Sequence, residues 1–572
     1  MKPLPVVTLW WVLLLVPRLG ATRKGSPEEA SFYYGTFPPG MSSLCWSVHL
    51  SIFQKLTKSY IDTQGTSDQM WLHWGQGSEW GLEGGGARIP CPAPHHLLQE
   101  DIALLRELHV SHYQLSLSWP RLLPTGVRGD QVNAKGVKFY NDIIDALLKS
   151  NITPMVTLHY WDLPQLLQVK YGGWQNMSLI NYFNDYANLC FEAFGDRVKH
   201  WITFSDPRAM VEKGYETGHH APGLKLHGTG LYKAAHHIIK AHARAWHSYN
   251  TTWRRRQQGL VGISLNCDWG EPLDIRNPED IEAAERYLQF CLGWFANPIY
   301  AGDYPQVMKD RIGRKSTEQG LEMSRLPVFS VQEKSYIKGT SDFLGLGHFT
   351  TRYITERNYS SRQGPSYQND RDIMELVDPN WPDLGSKWLY SVPWGFRRLL
   401  NFAQTQYVNP PMYVTENGAS QKSDCTQLCD PWRIQYLKGY INEMLKAIKD
   451  GANIKGYTSW SLLDKFEWEN GYSERYGFYY VDFKSRHKPR YPKASGQYYK
   501  RIIIANGFPN PREVASWHLE ALETCSINNH MLATEPLLNH MQMVTEAVVP
   551  TVCALCILIA AVLLMLLLRR QS

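Results

Sequence analysis

Met412-Tyr-Val-Thr-Glu-Asn-Gly418 and Ile454-Lys-Gly-Tyr-Thr-Ser-Trp460 bracket a stretch from Pro431 to Lys449 whose apolar residues recur with helical spacing. A strand buried on both faces reads as a short, nearly continuous apolar run, and a crossover helix reads as a longer amphipathic one. The unit is therefore strand, helix, parallel strand. Working outward, the same alternation recurs. Strand-length runs lie at His112 to Leu117, Pro154 to Leu158, His200 to Phe204, Leu260 to Leu265 and Phe343 to Leu346. Helical patterns lie at Lys135 to Lys149, Leu179 to Ala193, Gly230 to Tyr249 and Pro278 to Phe295. Alternation sustained from residue 110 to residue 465 predicts an α/β fold with its parallel sheet closed into a (β/α)₈ TIM barrel. Seven strands are readable in this way; the first is not. Chemistry in such a barrel lies at the C-terminal strand ends, so those residues are the ones to inspect.

The two ends of the chain carry different signals. Lys2, an apolar run from Val6 to Val16, and Gly20-Ala21 before charged residues read as a signal peptide at 1–21. Residues 547–568, Ala547 to Leu568, are uncharged and are followed at once by Arg569 and Arg570, which predicts a C-terminal transmembrane helix with a cytosolic tail at 569–572. The expected protein is a single-pass type I membrane protein of the secretory pathway. If Pro550 marks the mouth, about 18 residues or ~27 Å remain, which favours the thinner endoplasmic reticulum membrane over the cell surface. A stalk is expected at 509–546 and the barrel at 99–508. Residues 22–98 form a divergent N-terminal segment. Within it, Ser67 to Pro94 has neither helical nor strand period, so 40–98 reads either as an alternative exon or as a long surface loop.

Four sequons, at Asn151, Asn176, Asn250 and Asn358, agree with a glycosylated lumenal domain. Cys425 and Cys429 in a polar loop form a candidate local disulfide, and no Cys/His cluster has the spacing of a metal site. The net charge of +6 includes one dense run, Arg254-Arg255-Arg256, which reads as a solvated helix face and excludes nucleic acid as the expected partner.

Two carboxylates follow apolar strands and precede turns: Asp206 in Thr-Phe-Ser-Asp-Pro and Glu416 in Val-Thr-Glu-Asn-Gly. Facing carboxyls across a barrel mouth suit glycoside hydrolysis, one protonating the leaving oxygen and one attacking the anomeric carbon. The same residues read equally well as helix-capping acids.

The motifs Ser116-Leu-Ser-Trp-Pro-Arg121, Trp161-Asp-Leu-Pro164, Thr415-Glu-Asn-Gly418 and Trp460-Ser-Leu-Leu-Asp-Lys-Phe-Glu-Trp468, with Gly471-Tyr472 and Tyr476-Gly477, lie in order on four strands. On these the chain resembles glycoside hydrolase family 1 from near residue 32 to about Phe508, except for 40–98, and within it the lactase-like and klotho branch. The resemblance implies a retaining β-glycosidase acting on β-glucosides or β-galactosides, with no metal and no cofactor. It puts the nucleophile at Glu416 and sugar-binding residues at Trp460, Glu467 and Trp468.

Other positions depart from what the resemblance implies. The acid/base triplet Asn-Glu-Pro is Ser205-Asp206-Pro207, and the shorter Asp withdraws its carboxyl by ~1.5 Å from a pair that should stand only ~5–5.5 Å apart. Ser205 also lacks the amide that would bind the sugar 2-hydroxyl. The Arg beside the nucleophile is Gln114, the Tyr bonded to it is Phe349, the Asn two residues earlier is Gly347, and a sugar-binding His is Tyr160. The first strand's Gln-x-Glu-Gly motif is absent from 40–98. Stripped of a charge partner and a donor, Glu416 should have a raised pKa. The expected function is a pseudo-glycosidase binding a glycan or, by the klotho resemblance, a membrane-receptor or growth-factor-type partner. The alternative is a weak β-glucosidase or β-galactosidase hydrolysing O-glycosyl bonds. The orientation makes a first prediction: protease added to sealed microsomes should leave nearly the whole chain protected and glycosylated, and digestion of the barrel would reverse the topology.

Overall fold

The computed structural model describes residues 35–36, 45–50, 95–359, 363–422, 428–485 and 487–510. Eight parallel strands close a barrel: β1 (Cys45–Leu50), β2 (His112–Ser116), β3 (Thr153–His159), β4 (His200–Ser205), β5 (Leu260–Asn266), β6 (Leu344–Gly347), β7 (Met412–Asn417) and β8 (Ile454–Trp460). Each strand is bonded to the next in sequence, and β8 returns to β1. The seven strands expected from the sequence are therefore all present, with ends shifted by at most two residues.

The eighth, β1, lies inside the segment where no strand was readable, ahead of the boundary set at residue 99. It pairs with β8 from Cys45↔Gly456 to His49↔Trp460 and with β2 from Ser47↔His112 to Leu50↔Leu115. Cys45-Trp-Ser-Val-His-Leu50 is short and mixed in polarity, with no helical pattern beside it. Its two neighbours, which need partners for their backbone N–H and C=O groups, supply the identity that its composition does not. Gly35–Thr36 pairs antiparallel with Gly507–Phe508, so the two ends of the domain meet. The expected signal peptide, stalk and membrane span, and most of 40–98, lie outside the described residues. Among the described residues, no helix is long and apolar enough to cross a membrane.

The barrel is filled. At its lower end Met155, Ile202 and Phe343 form an interior cluster against Tyr413, with the His112 and His200 rings 5.8 Å apart beside them. Burial, and secondarily His200, push the His112 imidazole down to about 4, so it stays neutral. The larger core lies outside the strands, where Trp119 stacks on Tyr186 and Phe183 on Phe204. The helix expected over Pro278 to Phe295 is divided: an α-helix ends at Leu288, a π-turn spans Gln289–Gly293, and a second α-helix runs Trp294–Ala301. Beside the barrel mouth a three-stranded sheet, Trp269–Pro272, Thr351–Glu356 and Ile373–Leu376, extends the loops after β5 and β6. Arg286 pairs with Glu356, and Lys315 and Arg311 pair with Asp372, which clamps this sheet to the helices behind it.

Candidate active site

Glu416 stands at the C-terminal end of β7 and is 2 % exposed. Its Oε1 accepts from the Ser205 hydroxyl at 3.0 Å and its Oε2 from the Asn266 amide at 2.7 Å. The Tyr160 hydroxyl, at the end of β3, is also hydrogen-bonded to this carboxylate. Three donors thus arrive from the ends of β3, β4 and β5. Burial still dominates: it pushes the Glu416 carboxyl up to about 7, with Asp206 adding to the rise while Asn266, Ser205 and the more distant Lys465 oppose it. The strand end is rigid, because Asn417 donates to the His348 carbonyl at 2.8 Å and accepts from the Tyr457 hydroxyl at 2.7 Å. A side chain on Gly418 would collide with the Trp460 carbonyl, so the turn after Glu416 must be glycine.

Asp206 has a different occupation. Its backbone is left-handed, with φ of 40°, a conformation Asp tolerates better than most residues. Its Oδ1 accepts from the backbone N–H of Ala209 at 3.2 Å, so it is the N-cap of the helix Pro207–Tyr215, with Pro207 at the first helical position. Burial raises its pKa, opposed by Arg208 and by the cap bond. The capping bond is thus formed, through one of the two carboxylate oxygens. The Asp206 carbonyl accepts from the Trp161 indole at 3.1 Å.

The remaining aromatic residues converge on the same end of the barrel. The Tyr160 ring meets Trp460 edge-on at 6.1 Å and Trp468 at 5.3 Å, and Trp161 packs on Trp468 at 4.8 Å. Lys465 binds Glu467 at 2.9 Å and sets its ammonium 4.1 Å from the centre of the Trp460 ring. Burial outweighs their attraction in both partners, lifting the Glu467 carboxyl to about 7 and lowering the Lys465 ammonium.

A family model described as "Glycosyl hydrolase family 1" matches residues 33–508. The chain belongs to glycosyl hydrolase family 1. It is 81 % identical over 575 residues to the lactase-like protein of Homo sapiens, covering 100 % of both chains. It is 44 % identical to lactase/phlorizin hydrolase of Rattus norvegicus, over 85 % of this chain and 25 % of that protein. Among solved structures, an aphid myrosinase superposes with a TM-score of 0.76 at 36 % identity, covering 83 % of this chain and 100 % of the other.

Against the family pattern inferred from the sequence, several positions have changed roles. Ser205, expected as a lost sugar contact, is turned onto Glu416. Tyr160, expected as a lost sugar-binding His, brings a hydroxyl to Glu416 in place of the one missing at Phe349. Glu416 thus has three neutral donors, and its pKa is raised chiefly by burial. The Phe349 ring is spent on Trp388, 5.8 Å away. Gly347 has a steric reason: a Cβ there would overlap the Asn266 amide, so the loss of a side chain on β6 makes room for one on β5. Asn266 and Lys465 were missed by sequence reasoning. Asn266, a polar residue closing the apolar run of β5, was a signal available to it. Gln114 is fully buried with neither amide atom hydrogen-bonded, so it replaces no charge partner of Glu416.

Asn151, Asn250 and Asn358 are exposed and Asn176 is half-buried. Cys429 is half-buried, and its expected partner Cys425 lies outside the described residues. Among the described residues no His, Cys, Asp and Glu cluster could hold a metal ion.

Two predictions follow from burial. A carboxyl raised from 4.5 to about 7 binds its proton more tightly in the native than in the unfolded chain, so its stabilisation is whole below the unfolded value and is lost as pH rises through 7. Relative to Glu416→Gln, the native protein should lose roughly 1–3 kcal/mol between about pH 5 and about pH 8 in urea unfolding, and equal slopes would contradict the raised value. Gln114→Met, which removes two unpaired buried polar atoms at similar volume, should leave stability unchanged or raise it by about 1 kcal/mol; a clear loss in thermal unfolding would show an unseen partner.

Proposed function

We propose that this family 1 chain is a non-hydrolytic glycosidase homologue, a type I membrane protein of the secretory pathway whose barrel binds a protein partner or a glycan. The observation that carries the reading is the Asp206 carboxyl, one methylene shorter than the acid the family resemblance implies and with its Oδ1 held by the N–H of Ala209 at the start of its own helix. A positioned acid is worth ~10²–10⁴-fold, and a misplacement of about 1 Å costs about 10²-fold. The attacking group is impaired as well. With a pKa of about 7, Glu416 is only about half ionised at neutral pH, and among the described residues no cationic side chain within hydrogen-bonding distance offsets its burial. The membrane component of the reading rests on residues 547–568 of the sequence.

A second reading, a weak retaining β-glycosidase, draws support from the three donors around Glu416 and from relatives whose names are those of hydrolases, among them lactase/phlorizin hydrolase and cytosolic beta-glucosidase. The two separate on leaving-group dependence. A dinitrophenyl glucoside departs without protonation, whereas an alkyl glucoside needs the acid. If only the acid were at fault, full-length protein in detergent should cleave the dinitrophenyl substrate, and Ser205→Asn with Asp206→Glu should restore alkyl-glucoside turnover ~10²-fold or more. The expected outcome is no such recovery, because Gln114, Tyr160 and Phe349 alter the step in which Glu416 attacks. Turnover by the double variant, abolished by Glu416→Gln, would favour the weak glycosidase.

A further inference from the structure

Trp460 and Glu467 are the residues a sugar would use in this family, one for its ring face and one for its carboxylate, and both are already engaged from within the chain. The Lys465 side chain is 2 % exposed and spans the two, with Nζ 2.9 Å from Glu467 Oε2 and 4.1 Å from the Trp460 ring centre. A desolvated ammonium over an indole face is held by the ring quadrupole, and the adjacent carboxylate is the counter-charge that makes its burial tolerable. On the other side Tyr160 packs edge-on against Trp460 and Trp468 with its hydroxyl on Glu416. None of Tyr160, Trp460, Lys465, Glu467 and Trp468 is more than 8 % exposed.

We infer that Lys465 is a built-in occupant of the sugar subsite, excluding an uncharged pyranose from the face of Trp460 and from Glu467. A neutral pyranose gains stacking on the Lys465 side of the indole and a hydrogen bond to Glu467 Oε2 only by displacing the ammonium, which would leave a cation buried without its partner. Lys465 is thus the residue that sets specificity at this end of the barrel, and it acts through its bulk and its charge together. The inference rests on the proposed function only in taking Trp460 and Glu467 as the sugar-facing residues. Any glycan or protein recognised by the wild-type chain then engages another surface of the barrel.

The test is binding, measured by calorimetry on full-length protein in detergent with gluconolactam, a neutral glucose analogue. Wild type should show no saturable binding at millimolar lactam, and Lys465→Ala should bind at least about tenfold more tightly. Lys465→Asn, which is short but can still donate to Glu467, guards against a misfolded Ala variant and should open the subsite too. Lys465→Met keeps the bulk without the charge and should open the subsite less than Ala or Asn. Cooperative thermal unfolding identifies the folded variants. A folded Ala or Asn variant that binds no lactam overturns the inference, as does a Met variant that binds as tightly as they do. Lactam binding by wild type without turnover overturns it and leaves the proposed function standing, whereas glucoside turnover by wild type overturns both.

Discussion

A carboxylate sealed inside a closed barrel must be hydrogen-bonded, paired with a cation or protonated, because nothing else offsets the water it has lost. The upper end of this barrel is organised around that demand from Glu416. Tyr160, Ser205 and Asn266 come to it from three successive strand ends, Gly347 leaves space for one of them, and Asn417 pins the strand that carries it. Hydrogen bonds from neutral groups answer the demand only in part, so the remainder appears as a raised pKa. A guanidinium would have answered it fully and kept the group ionised. The residues around Glu416 therefore act as one set: neutral donors from three strand ends support it, and its raised pKa is the part of the burial they leave unanswered.

The sequence made most of the barrel legible and much less of its mouth. Seven strands were readable because strands covered by helices on one side and by a filled interior on the other are apolar along their length. β1 was not, since Cys45 to Leu50 mixes polar and apolar residues and owes its place to β8 and β2. Glu416, Trp460, Glu467 and Trp468 were legible through motif order. The present role of Tyr160 was not, because a lost His and a gained hydroxyl are separate events in sequence and become one exchange only when β3 and β7 face each other. Asn266 and Gly347 are likewise a register pair across two strands, invisible at a separation of 81 positions along the chain. For Asp206 the sequence held both answers, acid and cap, and the direction of its carboxyl shows the cap bond that the sequence could only suggest.

Unanswered groups are as informative as answered ones. Gln114 buries an amide with no partner, Asn266 leaves its Oδ1 unbonded, and Glu467 leaves its Oε1 unbonded. Core positions selected for packing alone rarely keep such atoms, each costing about 1–3 kcal/mol when buried unpaired. Asn266 and Glu467 carry theirs at the mouth, where Lys465 and Tyr160 supply the contacts that Glu467, Trp460 and Trp468 do have.

The N-cap formed by Asp206 has a consequence for the amount of folded chain. An Asp at such a cap contributes about 1 kcal/mol to its helix, and in a marginally stable protein a loss of that size changes the amount of folded chain. Asp206 is thus tied to the abundance of the protein as well as to the chemistry at the barrel mouth.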